Sequence, residues 1–415
     1  MKLQMKKDQL LGVLNKMVDV ATKAIKSETE SVGKLTIEVD PKQVTFKSTN
    51  GYLNVIYKIT PDQDASISKS ERGTFSVDAS VFRNVIKTIS TKSEDSVISI
   101  DMDGDMLRVL SAGSKLKKYA KLQVLSSHHD FTIEKPKGTT LKLETDIFTR
   151  GIDRVSPFVS KLGYDVRFQM ICLHFFAEQT RYICGDGGCF AIYEYPQKNN
   201  ITEEEGLQCL IPSNQAFILQ NLLNGVPNFD LIIKKGEYYF HGGPLTASLQ
   251  GVAVDEYVNY SIHAYQHDKA TAIFDVDAQD LVDAMSLVGA IKDKDGEVEG
   301  DVHSFKLSAV DGKIEILVDG SKAKYRCDID KPCSFYKISK DAFNSEYAYV
   351  YMRGIASAVV DPQARFYCIS EDDGGIIVVE SVKVSSTEKD AKGIPAAERP
   401  DKDRLLFFCA ATRNV

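Results

Sequence analysis

A short alternating strand that runs into a polar residue and then an amphipathic helix is written six times in this chain, and few folds are open to a chain built that way. The copies are KLQMKKDQLLGVL (2–14), TFSVDASVFRNVI (74–86), LKLETDIFTRGI (141–152), CLIPSNQAFILQN (209–221), IFDVDAQDLVDAM (273–285) and YKISKDAFNSEY (336–347). In five of them the apolar residue closing the strand is followed five positions later by a large apolar residue on the helix: Met5 and Leu10, Val77 and Phe82, Leu143 and Phe148, Val276 and Leu281, Ile338 and Phe343. In the fourth, Ile211 and Phe217 are six apart. Asp78, Ser213, Asp277 and Ser339 stand where an N-cap would satisfy the first orphan N–H groups of a helix.

The copies begin about 60 to 70 residues apart, and strand-like runs such as KLTIEVD, QVTFKST, SVISIDM, MLRVLSA, FDLIIKK, KIEILVDG and GIIVVESVKV lie between them. A strand, one helix and three or so further strands make a half-domain whose sheet is covered on one face by one helix. Six halves give three similar domains, at 1–136, 137–268 and 269–415, joined near His128 to Lys137 and near Ala264 to Lys269. The expected class is α+β, with antiparallel sheets on one side and helices on the other.

At 415 residues the chain is long enough for two to four such cores, and 43% hydrophobic with 26% charged residues suits a folded, water-soluble protein. No apolar run approaches the roughly 18 to 20 residues that span a bilayer, and the N-terminal MKLQMKKDQLLGVLNK lacks the apolar stretch of a secretory signal. The expected location is the cytoplasm, with no membrane partner. The eight Cys (172, 184, 189, 209, 327, 333, 368, 409) are scattered with no C-x-x-C, and read as buried free thiols. The seven His show no H-E-x-x-H, so no metal or other cofactor is expected. GDGGCF lacks both the Gly-Lys-Ser/Thr ending of a P-loop and a G-x-G-x-x-G, and reads as a tight turn needing positive φ. DMDGD (101–105) lacks the Glu of a calcium loop, since its twelfth position is Ala112, and reads as a hairpin turn. SSTEKDAKGIPAAERPDKD (385–403) reads as an exposed hairpin insertion.

Over its whole length the sequence resembles a known family, the bacterial β sliding clamp of DNA polymerase III, with the strongest local matches in the middle third. DVRFQMICLHF (165–175) is similar to that family's D-V-R-Y-Y-L-N-G-M-L-F, RYICGDGGCFAIYEYP (181–196) to its L-R-T-V-A-T-D-G-H-R-L-A, and IPSNQAFILQNLL to its V-P-(R/K)-K helix start. Gly188-Cys189 stand where the family has His-Arg, Ala253-Val254-Asp255-Glu256-Tyr257 replace its Phe-Pro-Asp-Tyr turn, and the tail ends ATRNV instead of M-P-(M/I)-(R/K)-L. These departures fit a divergent relative of the kind a bacteriophage would encode.

The resemblance implies a processivity factor that catalyses nothing itself. Two three-domain chains would close head to tail into a ring, helices lining the hole and sheets outside, around double-stranded DNA held without base contacts. It further implies a replicative DNA polymerase and a clamp loader as partners. Phosphate contacts are expected from Lys6, Lys7, Lys16, Lys23, Lys26, Arg83, Lys87, Arg150, Arg154, Lys161 and Arg167. Asp277, Asp280 and Asp283 make one helix start acidic, so the contact would be uneven. A groove for partner peptides would be walled by Met170, Gly185, Gly187, Gly188, Cys189 and Phe190, with Val254 opposite and Ala411, Thr412 and Arg413 from the tail. The alternatives are an accessory protein of different ring size, and a cysteine-dependent hydrolase in which Cys184 or Cys189 meets His174 or His241.

Overall fold

Apolar stripes on the helices and apolar residues in the strands need burial, and among the described residues the strands gather into four antiparallel sheets. The computed structural model describes residues 1–22, 33–60, 67–70, 72–89, 97–111, 119–160, 165–234, 236–250, 256–290, 304–310, 313–319, 324–329, 334–338, 343–371, 374–390, 393–399 and 403–411. The chain divides into two compact units, Met1–Thr149 with Asn214–Asp255, and Arg150–Ser213 with Glu256–Val415. The helices are α1 (Lys7–Thr22), α2 (Ala79–Thr88), α3 (Thr145–Val155), α4 (Ser213–Leu223), the single turn α5 (Ser261–Ala264), α6 (Ala278–Ala290) and α7 (Tyr349–Ala358). No helix among the described residues is long and apolar enough to cross a membrane.

The first unit holds an eight-stranded sheet in the order Thr139–Glu144, Asn228–Lys234, Glu237–Gly242, Leu245–Gln250, Leu53–Ile59, Gln43–Thr49, Lys34–Asp40, Gly73–Asp78. It also holds a five-stranded sheet, Ile67–Ser70, Lys2–Lys6, Val97–Asp103, Met106–Ser111, Tyr119–Gln123. On α1 the buried residues Leu10, Val13, Leu14, Met17, Val18 and Ala21 follow the helical period and face the core. Helix α2 starts at Asp78, whose carboxylate accepts from the Val81 N–H at 2.8 Å as the sequence predicts, and its Phe82 meets Phe75 edge to face. The irregular stretch after Gln123 is pinned to the sheet. His129 N donates to Thr36 Oγ1 at 2.8 Å, Ser76 Oγ lies 2.8 Å from His128 Nδ1, and Leu125 N donates to Ser76 O at 2.8 Å.

In the second unit a longer sheet runs Leu207–Pro212, Met170–Phe175, Gln179–Gly185, Cys189–Pro196, Arg404–Ala410, Gly374–Lys389, Gln363–Glu371, Ala272–Asp277, Ser334–Ile338, with Pro395–Glu398 hairpinned onto Gly374–Lys389. The smaller sheet is Lys324–Ile329, Lys313–Asp319, Ser304–Val310, Phe343–Ala348. Five of the six sequence copies form strand then helix where read. The sixth does not, since Phe343–Ala348 is a strand paired with Ser304–Val310 and the helix begins at Tyr349. Ser339, the cap expected there, lies outside the described residues. Ala348 occupies the true cap position and offers no side-chain hydrogen bond, so the start carries no polar signal. Met352, Ile355 and Ala356 then supply the buried stripe.

Two polar clusters fix the second unit. Arg365 forks onto Asp275 at 2.8 and 3.0 Å, both side chains almost fully buried, and Tyr336 Oη donates to the same carboxylate at 2.6 Å. The segment after Glu256 is strapped across one face of the long sheet. His174 Nδ1 lies 2.8 Å from Tyr260 Oη, Tyr265 Oη donates to Glu194 at 2.5 Å, and Arg181 reaches Glu194 at 2.9 Å. Arg404 donates to Glu380 at 2.9 and 3.1 Å, and Arg399 joins that carboxylate. Burial alone would raise the Glu380 pKa, but Arg404, Arg399 and His267 outweigh it and hold the group below its ordinary value. Arg404 also donates to His267 Nε2 at 3.0 Å, which requires an unprotonated nitrogen, and burial with the neighbouring Arg404 charge lowers the His267 pKa to about 4.

Removing Asp275 leaves Arg365 buried and unpaired. Asp275→Ala is expected to cost about 3–5 kcal/mol in denaturant unfolding, and Asp275→Leu combined with Arg365→Met clearly less. Because His267 is neutral when folded but titrates near 6.5 when unfolded, its contribution is whole above pH 6.5 and lost as pH falls toward 4. Unfolding free energies measured across that range should fall, by up to about 3 kcal/mol from this residue, and His267→Gln should remove that part of the slope.

Candidate functional site

The basic residues expected to meet phosphate fall into distinct roles once their surroundings are known. In the first unit Lys7 Nζ donates to the carbonyls of Lys87 at 3.2 Å and Ile89 at 2.7 Å, closing the C-terminal end of α2. Lys16 Nζ does the same for α4, donating to Leu222 O at 3.1 Å and to Asn224 O. Both place a cation on orphan carbonyls at the negative end of a helix. Burial lowers the Lys16 pKa, and its ammonium lies 5.6 Å from the centre of the Tyr57 ring. Arg83 donates to Asn84 Oδ1 at 3.4 Å and Lys87 is exposed on the last turn of α2, while Lys6 closes the first strand. Helices α1 and α2 pack on each other, so Lys7, Arg83 and Lys87 share one helix pair, with Lys6 on the strand that leads into α1.

In the second unit Arg150 approaches Asp403 at 3.8 Å, and Arg154 follows one turn later on α3. Arg167 is forked onto Asp165 at 2.6 to 3.1 Å, which holds the aspartate below its ordinary pKa and the guanidinium above its own. Lys23, Lys26 and Lys161 lie outside the described residues. On α6 Asp277 Oδ1 accepts from Gln279 N at 2.9 Å and Asp283 from Gln279 Nε2, so part of that acidic start is spent on capping.

The residues expected to wall a peptide groove gather around the turn Asp186–Gly188. Gly187 takes φ +97°, as the Gly-rich run predicts, and Asp186 Oδ1 accepts from the N–H groups of Gly188 and Cys189, each at 3.1 Å. Met170 and Cys189 are 1% exposed and Phe190 8%, so these three belong to the core beneath the turn. Gly188 O accepts from Ala410 N at 3.0 Å, and Ala411 N donates to Gly375 O at 2.9 Å, which brings the start of the tail beside the turn. Val254, Thr412 and Arg413 lie outside the described residues. Two half-buried residues that the sequence reading missed lie beside the turn. Phe168 packs edge to face on Phe190 with ring centres 6.1 Å apart, and a Cβ on Gly188 would stand 2.9 Å from the Tyr351 ring and hydroxyl. Burial and a hydrogen bond to Asp186 both raise the Tyr351 phenol. Tyr351 lies on α7, whose start the sequence reading placed too early.

The whole chain is similar to solved bacterial polymerase subunits. It matches the DNA polymerase III subunit beta of Pseudomonas aeruginosa over 100% of both chains, with a TM-score of 0.78 at 14% identity. The DNA polymerase sliding clamp of Bacillus subtilis matches over 100% of both with TM-score 0.79 at 13% identity, and the beta subunit of Thermotoga maritima over 100% of both with 0.76 at 11%. This is the sliding-clamp fold. No protein-family model matches the chain, and no curated protein sequence does.

The hydrolase alternative finds no support in this clamp fold. Burial pushes the Cys172, Cys184 and Cys189 thiols well above their ordinary pKa, opposite to the shift that makes a nucleophilic thiolate. His174 is committed to Tyr260 and to Glu205 O at 2.7 Å. No cluster of metal-ligating side chains occurs among the described residues.

The close approach at Gly188 is open to a direct check. Gly188→Ala should cost about 1–3 kcal/mol through overpacking, and Tyr351→Ala in the same chain should relieve part of that cost. A double-mutant cycle by thermal unfolding that came out additive would show that the two positions do not touch.

Proposed function

We propose that this protein is a DNA sliding clamp: two copies close head to tail into a ring around duplex DNA and tether a replicative polymerase for processive synthesis. One observation carries the reading. Each three-stranded meander ends in a third strand, and four of the six third strands are paired off, Leu53–Ile59 with Leu245–Gln250 and Cys189–Pro196 with Arg404–Ala410. The two left over, Tyr119–Gln123 and Lys324–Ile329, each have one neighbour among the described residues, in small sheets built from the first and last thirds of the chain. A second copy pairing Tyr119–Gln123 with the partner's equivalent of Lys324–Ile329, and the reverse, completes the same joint twice and closes the assembly. On this reading the three domains are 1–136, 137–268 and 269–415, the large sheets being the joints between consecutive domains.

DNA would be held by topology, with weak, sequence-independent phosphate contacts from Lys6, Arg83, Lys87 and Arg154 and from the charges of Lys7, Lys16, Arg150 and Arg167 behind them. Partner peptides of polymerase and clamp loader would dock at the Gly187–Gly188 turn against the half-buried Phe168, Tyr351 and Ala411. The ring catalyses nothing and works in the cytoplasm. It is tested by loading the protein on nicked circular DNA and linearising half of the sample, with sedimentation alongside. A particle of about twice 46.1 kDa, retained on circles and lost from free ends, is the expected result. A monomer, or equal loss from both DNAs, overturns it.

A further inference from the structure

A groove of about 760 Å³ in the first unit shares only Lys16 with the roles above. It runs between α1 and the end of the strand Leu53–Ile59, bounded by the turn after α4 and the turn at Gly243–Pro244. Its volume is in the range of small-molecule clefts, roughly 300–1,000 Å³. We propose that it binds a small amphipathic organic anion, an apolar body bearing a carboxylate, sulfonate or phosphate.

Three features point there. The first is Gly12, exposed in the interior of α1, where glycine costs about 0.5–1 kcal/mol relative to alanine. An ideal Cβ at this position meets no atom within 4 Å, so packing does not ask for glycine, and what the missing side chain leaves is open space in the groove. The second is charge. Lys16 and Lys58 line the groove and no Asp or Glu does. Lys16 gives two of its three N–H groups to the end of α4, which fixes the ammonium in place with one donor left, and Lys58 has no ion-pair partner among the described residues. The third is the wall itself. Ile59 and Pro244 offer apolar surface over the buried Val13 and Val226, and the half-buried Tyr57 makes no side-chain hydrogen bond among the described residues. An anion set between the two ammonium groups, with its apolar part on that wall, satisfies all three.

The probe is 8-anilinonaphthalene-1-sulfonate, titrated into the folded full-length chain and followed by its fluorescence. Saturable binding at one site per chain is expected. Gly12→Leu, which fills the groove from an exposed helix position, should weaken it at least about ten-fold with an unfolding midpoint that holds or rises, because leucine suits a helix interior better than glycine. Lys58→Gln should weaken it roughly three- to ten-fold and flatten its salt dependence, while Lys142→Gln on the strand Thr139–Glu144 leaves it unchanged. Binding that persists in Gly12→Leu, or that falls equally in Lys142→Gln, overturns the proposal. So does a Gly12→Leu protein that loses affinity for a duplex oligonucleotide but not for the probe, which would assign the groove to DNA.

Discussion

Lateral pairing of one meander's last strand with another's is the interaction on which the rest of the structure hangs. It sets Val55 opposite Ala247 in one sheet and Ile192 opposite Leu406 in the other, residues about two hundred positions apart in sequence. Each pairing closes a large loop and repays that entropy only when the whole ladder forms and the helices cover its inner face. Helix placement, the strapped segment after Glu256 and the position of the Asp186–Gly188 turn all follow from which strand lies beside which.

Charge is distributed to serve that framework before it serves any ligand. Lys7 and Lys16 sit about two and a half turns apart on α1, and each ends a different helix by taking its last carbonyls. A helix that borrows its C-cap from a neighbour is fixed relative to it, which is one way to keep a helix layer in register without a large apolar contact. In the second unit the same economy appears as a lattice of Arg181, Glu194, Arg404 and Glu380, where each buried charge has an opposite neighbour and the strapped tyrosines fill the gaps.

Much of this was legible in the sequence because it rests on local signals. Alternation marked the strands, Asp78 and Asp277 marked helix starts by chemistry they then perform, and the Gly-rich run marked a turn at Gly187. The buried cysteines among the described residues agree with the scattered spacing. The missed features are those whose signal is not local. Ala348 starts a helix without a polar cap because the preceding strand already fixes its direction, so the sixth copy was read a few residues early. Nothing near Lys7 or Lys16 in sequence announces that the carbonyls of residues 87, 89, 222 and 224 lie within reach. Tyr351 covers Gly188 only because two elements separated by more than 150 residues are brought together.

The joints between meanders are ladders of main-chain hydrogen bonds, and the main chain is the same in every protein. Opposed residues need only keep the alternation of inward and outward faces and avoid proline at donor positions. Such a seam constrains pattern while leaving identity almost untouched. That explains how a chain sharing 11 to 14% of its residues with the bacterial subunits superposes on them from end to end. In an architecture joined this way, two sequences can differ at most positions and still share one arrangement of strands.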